Sequence, residues 1–278
     1  MWFGADYNMN IYRGCSHGCI YCDSRSSCYG DRNFDTIKIK RDALRIIRDD
    51  LNRKVKRGVV ATGAMSDPYN PLERELRLTR SALELINACQ FGVAIDTKGV
   101  LVTRDIDILH DIKNHSPVIV KITITTSDDD LCRKIEPRAP SSTDRFAAIK
   151  ALSENGIYCG VLMMPILPFI NDTIENIKGV VRRAKEAGAG FVYPAFGMTL
   201  REGNREYFYE KLGEMFPAMK EKYIKQYGTR YNCSSPEAKS LWGIFARECE
   251  KQGLLYNMRA ITSLYKRGYE MAQLPLFT

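Results

Sequence analysis

The stretch RGCSHGCIYCDSRSSC (residues 13–28) determines how the rest of this 278-residue sequence is interpreted. Cys15, Cys19 and Cys22 follow the spacing C-x3-C-x2-C, and no second C-x2-C pair occurs in the chain. A structural zinc site takes four protein ligands, usually as two pairs. His17 could be a fourth ligand, so zinc stays an alternative, although its place inside the loop makes it a poor one. Three thiolates on one loop favour an iron–sulfur cluster in which one iron keeps an open position.

The cysteine count and the charge indicate the compartment and the kind of partner. Nine cysteines make an odd number, and the first residues, MWFGADYNMN, lack the basic segment and apolar core of a signal peptide. We therefore expect a cytoplasmic protein without a disulfide framework. No apolar run approaches the roughly 20 residues of a membrane-spanning helix, so no membrane partner is expected. The net charge of +8 favours nucleic acid, although many cytosolic proteins with other partners are also mildly basic.

Short apolar runs alternate with helical patterns over residues 1–200. Strands are predicted before Cys15 and at residues 58–64, 92–98, 118–125, 158–166 and 191–196. The stretches between them predict helices, one of which starts at Ser141 with Asp144 as its capping-box partner. This alternation predicts an α/β fold with a parallel sheet covered by helices. About six β-α units are too few for a closed eight-stranded barrel, so we predict a partial (β/α)6 TIM-like barrel.

Residues 201–278 have a different pattern, which predicts a C-terminal helical extension with a terminal tail. An aromatic and charged helical stretch is interrupted at Pro217. A later helix is predicted with Ser235 as its N-cap, Pro236 at its first position and Gly253 as its stop. We therefore expect a second unit of helices that packs against the barrel.

The cysteine spacing, with the aromatic Tyr21 directly before Cys22, resembles the signature of the radical S-adenosylmethionine (SAM) superfamily. A partial barrel of the predicted kind is also the fold of that family. The resemblance implies a [4Fe–4S] cluster held by Cys15, Cys19 and Cys22, with SAM bound to the open iron next to Tyr21. It also implies an electron donor, reductive cleavage of SAM, and a 5′-deoxyadenosyl radical that abstracts a hydrogen atom from the substrate.

Five further motifs are similar to the spore photoproduct lyase-like branch of that superfamily, a branch that resembles DNA repair photolyases. They are YRGCSHGCIYC, MSDPYNPLE, TKGVLVTRDIDIL, IEPRAPSSTDR and PILPFIND, and the similarity covers about residues 7–196. The lyase reverses a thymine–thymine photolesion, so the resemblance implies DNA as the partner and Ser66 and Lys98 as SAM contacts. One position differs: the lyases have a hydrogen-donating cysteine two residues before the aligned serine, where this chain has Ala64.

Ligands of a parallel barrel bind at the carboxyl ends of its strands, which selects further candidates. Ser66 and Asp67 could hydrogen-bond the ammonium group of SAM, and Lys98 could pair with its carboxylate. Thr125 could face the ribose, and the backbone near Met164 could bind the adenine. For a serine or threonine, a strand-end cap or a turn is the alternative.

Three charged residues in loops at the barrel mouth are candidate substrate contacts: Arg104, Glu136 and Arg138. Structural ion pairs or helix caps are the alternative for each of them.

The remaining cysteines are interpreted as packing residues. Cys89, Cys132 and Cys159 are predicted to be core thiols. An auxiliary cluster built on Cys28, Cys233 and Cys249 is the alternative to buried thiols, but their scattered spacing argues against it.

The terminal tail suggests a protein partner. Gln273, Leu274, Leu276 and Phe277 in QLPLF resemble the pentapeptide that binds the bacterial sliding clamp. Such an extended segment places Leu and Phe in an apolar pocket while Gln fixes the register. A tail folded onto the protein's own helices is the alternative.

Taken together, the motifs favour a radical SAM enzyme that acts on nucleic acid, as in lyase-like repair of a DNA lesion. One alternative is a radical SAM enzyme that modifies RNA, a peptide or a small metabolite. The other is a metal-containing protein that binds nucleic acid without catalysis.

Overall fold

The computed structural model describes residues 2–30 and 33–269. Ten strands lie within these residues: β1 (Tyr7–Met9), β2 (Tyr12–Arg13), β3 (Lys38–Ile39), β4 (Val59–Thr62), β5 (Gly92–Thr97), β6 (Val118–Thr123), β7 (Cys159–Met163), β8 (Phe191–Pro194), β9 (Gly197–Thr199) and β10 (Asn232–Ser234). The α-helices of the same residues are α1 (Ala43–Arg53), α2 (Glu73–Leu76), α3 (Leu78–Ala88), α4 (Ile106–Lys113), α5 (Asp129–Ile135), α6 (Ser142–Glu154), α7 (Ile174–Glu186), α8 (Asn204–Met215), α9 (Pro217–Tyr227), α10 (Ala238–Gln252) and α11 (Met258–Lys266).

Six strands form one parallel sheet in the order β1-β4-β5-β6-β7-β8. At least one helix lies between each pair of consecutive strands in this sheet, as right-handed β-α-β crossovers require. β1 and β8 are the two ends of the strand order, so the sheet is an open barrel of six strands. This confirms the predicted partial (β/α)6 barrel. No helix among residues 2–30 and 33–269 is both long and apolar enough to cross a membrane.

Both faces of the sheet are buried, which explains why its strands are nearly continuous apolar runs. Alternate residues such as Val93 and Ile95 of β5 pack outward against the helices. The residues between them, such as Ala94, point into the barrel lumen. There they meet Phe3 from the N-terminal turn and Tyr265 from α11, so both ends of the described chain fill the lumen.

The part after residue 200 is helical, as predicted, and the break at Pro217 separates α8 from α9. Gly253 ends α10 in a left-handed conformation, with a φ of 67°. The predicted start of that helix is wrong by two residues, because α10 begins at Ala238 and Ser235 instead donates a hydrogen bond to Asp172. The boundary between residues 1–200 and 201–278 as separate domains remains a prediction.

The sequence also missed a short antiparallel pair, β9 and β10, which joins the end of the barrel to the extension. Three-residue strands give too little alternation to recognise from sequence. The extension packs onto the cysteine loop: Ile20 and Tyr21 share one apolar cluster with Phe208 of α8 and Tyr223 of α9.

The aromatic residue at the centre of the lumen should be essential for stability. Phe3 is fully buried, and its ring centroid lies 5.8 Å from that of Phe191. Phe3→Ala should lower the free energy of unfolding by about 3–5 kcal/mol, because the cavity that it leaves cannot be refilled. Denaturant unfolding measures this. The control Val55→Ala removes a fully exposed side chain and should change the value by less than about 0.5 kcal/mol, so equal effects would contradict the packing described here.

Candidate active site

The cysteine loop follows β2 and is held by backbone contacts to two distant segments. Its Cys15 N–H donates to the carbonyl of Phe34 at 2.8 Å, and its Ile20 N–H donates to that of Ile135 at 3.0 Å. Gly14 has a φ of 78°, and a Cβ there would lie 2.3 Å from the Thr36 carbonyl oxygen. The tight course of the loop therefore requires glycine at this position.

The three cysteines of the loop line one cavity of about 120 Å³ at the carboxyl ends of β4 and β5. Among the described residues, no group of three His, Cys, Asp or Glu side chains could hold a single metal ion. His17 cannot complete a zinc site through Nε2, because this atom lies 3.0 Å from Asp67 Oδ2. The geometry thus favours a metal cluster, whose ligands are spread around several metal ions, over a single zinc ion.

The environment of these thiols suits such a group. Burial raises the pKa of Cys15 to about 11 and also raises those of Cys19 and Cys22. Lys98 opposes the rise at Cys19 and Cys22. The thiols must lose their protons to bind iron, and the positive charge of the metal supplies the driving force. Three soft ligands around one cavity, with a cation beside them, therefore fit a [4Fe–4S] cluster.

Asp67 differs from its predicted role because its acceptor positions are all used within the protein. Besides His17, it accepts hydrogen bonds from Thr97 Oγ1 at 2.6 Å, from the Lys98 N–H at 2.7 Å and from the Tyr69 N–H at 2.9 Å. A carboxylate has about four acceptor positions, so none remains for the ammonium group of SAM. Burial alone would raise the pKa of Asp67, but His17 and the hydrogen-bond donors hold it far below its ordinary value.

Ser66 lines the same cavity as the cysteines. In this structure its hydroxyl donates to the carbonyl of Gly14, directly before Cys15. Ser66 thus connects the end of β4 to the cysteine loop, and its predicted SAM contact remains a proposal.

Lys98 places a cation inside the cavity, as the sequence predicted. Its Nζ lies 5.6 Å from the centroid of the Tyr21 ring, and the Tyr21 hydroxyl donates to Glu136. Burial alone would lower the pKa of Lys98, but Cys19 and Glu136 outweigh that effect and raise it. Lys98 therefore remains charged and can bind a carboxylate.

Each of the three predicted substrate contacts forms an ion pair within the protein. Glu136 is fully buried, and its Oε2 lies 2.5 Å from Arg145 Nη2. Arg104 forms ion pairs with Glu73 and Asp105. These ion pairs are the structural alternative given for both residues, and their predicted contacts with a substrate remain predictions.

Arg138 is exposed but holds the cysteine loop from outside. Its Nε donates to the Ser16 carbonyl at 2.5 Å, and its Nη2 lies 2.6 Å from Asp35 Oδ1. A Cβ on Gly18 would come within 3.1 Å of the same guanidinium. Gly18 also has a φ of 70°, a left-handed conformation that favours glycine where Arg138 crosses the loop.

A second cavity of about 540 Å³ adjoins the first. Tyr21, Cys22, Ser24 and Ala64 line both cavities. The larger one is also lined by Met164, Phe196, Met198, Thr199, Asn232 and Ser234, and the predicted adenine contact near Met164 remains a prediction. Asn232 and Ser234 belong to β10, which the sequence did not predict, so their place in the site could not be foreseen.

Thr125 lies just beyond the end of β6, and its predicted contact with the ribose of SAM remains a prediction. It lines neither of these two cavities, and its buried hydroxyl has no hydrogen-bond partner. Its carbonyl oxygen accepts hydrogen bonds from the Asn171 and Asn176 amides. Instead Thr123 and Asp96 lie in the wall of the smaller cavity. The side-chain period of two gives Thr123 and Thr125 the same face, but β6 ends at Thr123, so the period does not extend to Thr125.

The other cysteines are mostly packing residues. Cys132, Cys159, Cys233 and Cys249 are buried, and Cys89 is half-buried. Cys28 was expected to be buried but is exposed, with its Sγ 3.8 Å from Arg201 Nη1. Cys233 and Cys249 pack in different apolar clusters, which favours buried thiols over an auxiliary cluster.

The family follows from comparison with known proteins. A model of the radical SAM superfamily matches residues 9–184. The chain belongs to this superfamily. An uncharacterized protein of Mycobacterium tuberculosis (strain ATCC 25618 / H37Rv) is 32% identical over 228 residues, which cover 80% of this chain and 67% of that protein.

Two solved structures show a similar fold. A double variant of spore photoproduct lyase, with bound AdoMet and dinucleoside spore photoproduct, has a TM-score of 0.66 at 18% identity and covers 89% of this chain and 74% of its own. The radical SAM methyltransferase TsrM of Kitasatospora setae, with cobalamin and a [4Fe–4S] cluster bound, has a TM-score of 0.58 at 11% identity, with coverage of 90% and 51%. The cofactors of this radical SAM chain are therefore a [4Fe–4S] cluster and SAM.

Two cysteine variants test which thiols hold the cluster. Cys22→Ala removes a cavity thiol and should lower the iron content of the reconstituted protein well below about four per chain, because two cysteines hold a cubane poorly. Cys28→Ala changes an exposed thiol and should keep the wild-type content. Iron and sulfide analysis after anaerobic reconstitution measures both. Loss of iron in Cys28→Ala would contradict the ligand set.

Proposed function

We propose that this radical SAM enzyme acts on a nucleic-acid base, as in the lyase-like repair of a DNA lesion. The proposal rests on two adjoining cavities, which share Tyr21, Cys22 and Ala64 in their walls. The smaller cavity has the ligand set for the cofactors, and the larger one has the size of a small-molecule site. When bound, the cluster and SAM would supply the 5′-deoxyadenosyl radical beside the larger cavity.

Each residue of the smaller cavity then has one role in the proposal. Cys15, Cys19 and Cys22 hold the cluster and leave one iron open. Lys98 pairs with the carboxylate of SAM, and Asp67 is a positioning residue that fixes the cysteine loop to the end of β5. These assignments rest on the contacts of the cavity walls and on the family resemblance.

The walls of the larger cavity suit a planar base with polar edges. Met164, Phe196 and Met198 present apolar surface, and Asn232, Thr199 and Ser234 offer hydrogen-bonding groups. Enzymes that modify a base take it out of the stack and bind its face between apolar side chains and its edge with polar ones. The net charge of +8 favours the phosphate backbone that would accompany such a base.

Ala64 indicates that the reaction does not end as it does in the lyases. It lines both cavities at the place of the lyase cysteine. Cys22 also lines the larger cavity, but its thiol is a proposed ligand of the cluster and so does not replace the lyase cysteine. We therefore propose a closing step without a protein thiol at this position.

The other substrate classes, the location in the cell and the sliding-clamp partner also remain proposals. The same pair of cavities would accept a base of RNA, a peptide side chain or a metabolite, and a cytoplasmic location agrees with each. The sliding-clamp motif at Gln273, Leu274, Leu276 and Phe277 lies outside the described residues.

Cleavage of SAM tests the chemistry first. Anaerobically reconstituted protein with dithionite and SAM should form 5′-deoxyadenosine, and Lys98→Met should weaken SAM binding about tenfold or more, because a charged hydrogen bond is lost. Lys239→Met, on the exposed surface of α10, is the matched control. Absence of 5′-deoxyadenosine with an intact cluster would support the non-catalytic alternative.

The substrate is tested separately. The enzyme with SAM and reductant should decrease photolesions in UV-irradiated DNA, measured by mass spectrometry of the digested DNA. The test uses the wild-type enzyme, which has Ala64. RNA that has received the same UV dose is assayed as a second substrate. Turnover of RNA alone, or of neither nucleic acid while 5′-deoxyadenosine forms, would refute DNA as the substrate.

A further inference from the structure

The positive charge of the chain is concentrated in one short segment. Residues 38–57 contain nine basic and three acidic side chains, a net charge of +6 out of the +8 of the whole chain. The segment comprises β3, α1 and the turn that follows α1, and all nine of its basic residues are exposed. Basic residues clustered along one helix favour an anionic partner.

The protein holds these basic side chains only weakly. Arg45 pairs with Asp42, and Arg53 pairs with Asp50, but every side chain in these two pairs is at least half exposed. Exposed pairs of this kind contribute little free energy, so a phosphate group can replace the carboxylate. Lys40, Lys54 and Lys56 form no ion pair within the described part of the chain.

A cavity of about 370 Å³ lies between α1 and β1, the strand at one end of the sheet. Lys40 and Lys54 line it together with apolar side chains such as Met9. Asp50 also lines it, but its Oδ1 lies 2.6 Å from Arg53 Nη2. The unpaired charges of this cavity are therefore positive.

A connecting cavity of about 240 Å³ joins the cavity beside α1 to the active site. It shares Asn10 and Lys40 with the cavity beside α1, and it shares Ser24 with the larger cavity of the active site. Arg13 and Tyr29 also line it. The three cavities thus adjoin in one row that leads from the proposed base site to the basic segment.

We infer that the two outer cavities of this row, which we call the α1 groove, bind the single nucleic-acid strand that flanks the modified base. The inference rests on the proposed function, because it requires a base in the larger cavity. Lys40, Lys54 and the exposed arginines of α1 contact phosphates, and Tyr29 offers an aromatic face to a neighbouring base. Proteins that bind single strands combine a basic groove with aromatic side chains in this way.

The experiment measures binding of a fluorescein-labelled oligothymidine to the reconstituted protein by fluorescence anisotropy over a series of salt concentrations. For wild type, the logarithm of the binding constant should fall linearly with the logarithm of the salt concentration. Lys40→Gln/Lys54→Gln should bind about tenfold more weakly at about 0.1 M salt, and its slope should be smaller by about 1.4, because each phosphate contact contributes about 0.7 on a single strand.

Two control variants separate the α1 groove from folding and from overall charge. Lys40→Arg/Lys54→Arg keeps both charges and should bind as wild type does. Lys185→Gln/Lys251→Gln removes two exposed lysines from the last turns of α7 and α10 and should also leave binding unchanged. Iron analysis should give the wild-type content for all three variants.

The outcomes are distinct. If Lys40→Gln/Lys54→Gln holds iron and keeps the wild-type affinity and slope, or if Lys185→Gln/Lys251→Gln weakens binding equally, the α1 groove is not the strand site and the proposed function stays intact. Wild type that binds no oligonucleotide at any salt concentration would overturn both. In that case, sedimentation with phosphatidylglycerol vesicles would identify the basic segment as a lipid-binding surface.

Discussion

The Asp67 carboxylate is the interaction on which the rest of the site depends. It accepts from His17 in the cysteine loop and from Thr97 and the Lys98 backbone at the end of β5. The loop and the strand that carries the cavity cation are thereby fixed to one another through a single side chain. Because all of its acceptor positions face protein donors, this carboxylate can set the distance between cluster ligands and Lys98 without taking part in the chemistry.

Two further pairs of buried charges lie around this point. Glu136 faces Arg145 and receives the Tyr21 hydroxyl, while Asp96 faces Lys121 in the lumen. Breaking one such pair leaves an uncompensated charge in a medium of low polarity, which costs several times more than an exposed ion pair contributes. Paired charges of this kind favour one arrangement of the cavity wall, and a fixed wall is what positions a reactive cofactor and keeps water away from it.

The C-terminal extension is part of the site rather than an attachment to it. Its helices pack on Ile20 and Tyr21 of the cysteine loop, and β10 gives Asn232 and Ser234 to the larger cavity. The smaller cavity is therefore built by the barrel, whereas the larger one is completed by the extension. A family with one cofactor and many substrates would use such a division, because the extension can change without disturbing the cluster.

The sequence by itself determined the fold class and the cofactors. Apolar runs such as β6 predict strands that are buried on both faces, and the spacing of Cys15, Cys19 and Cys22 indicates a cluster one ligand short, because both signals are local in the chain. Lys98 was also predictable, since a charged residue directly after a buried strand must lie at its end. Only the tertiary structure decided that Arg104 and Glu136 form internal ion pairs, that Thr125 is not among the residues lining the two cavities, and that Asp96 and Lys121 meet in the lumen. Those outcomes depend on where a strand ends and on partners distant in sequence, and no local pattern specifies either.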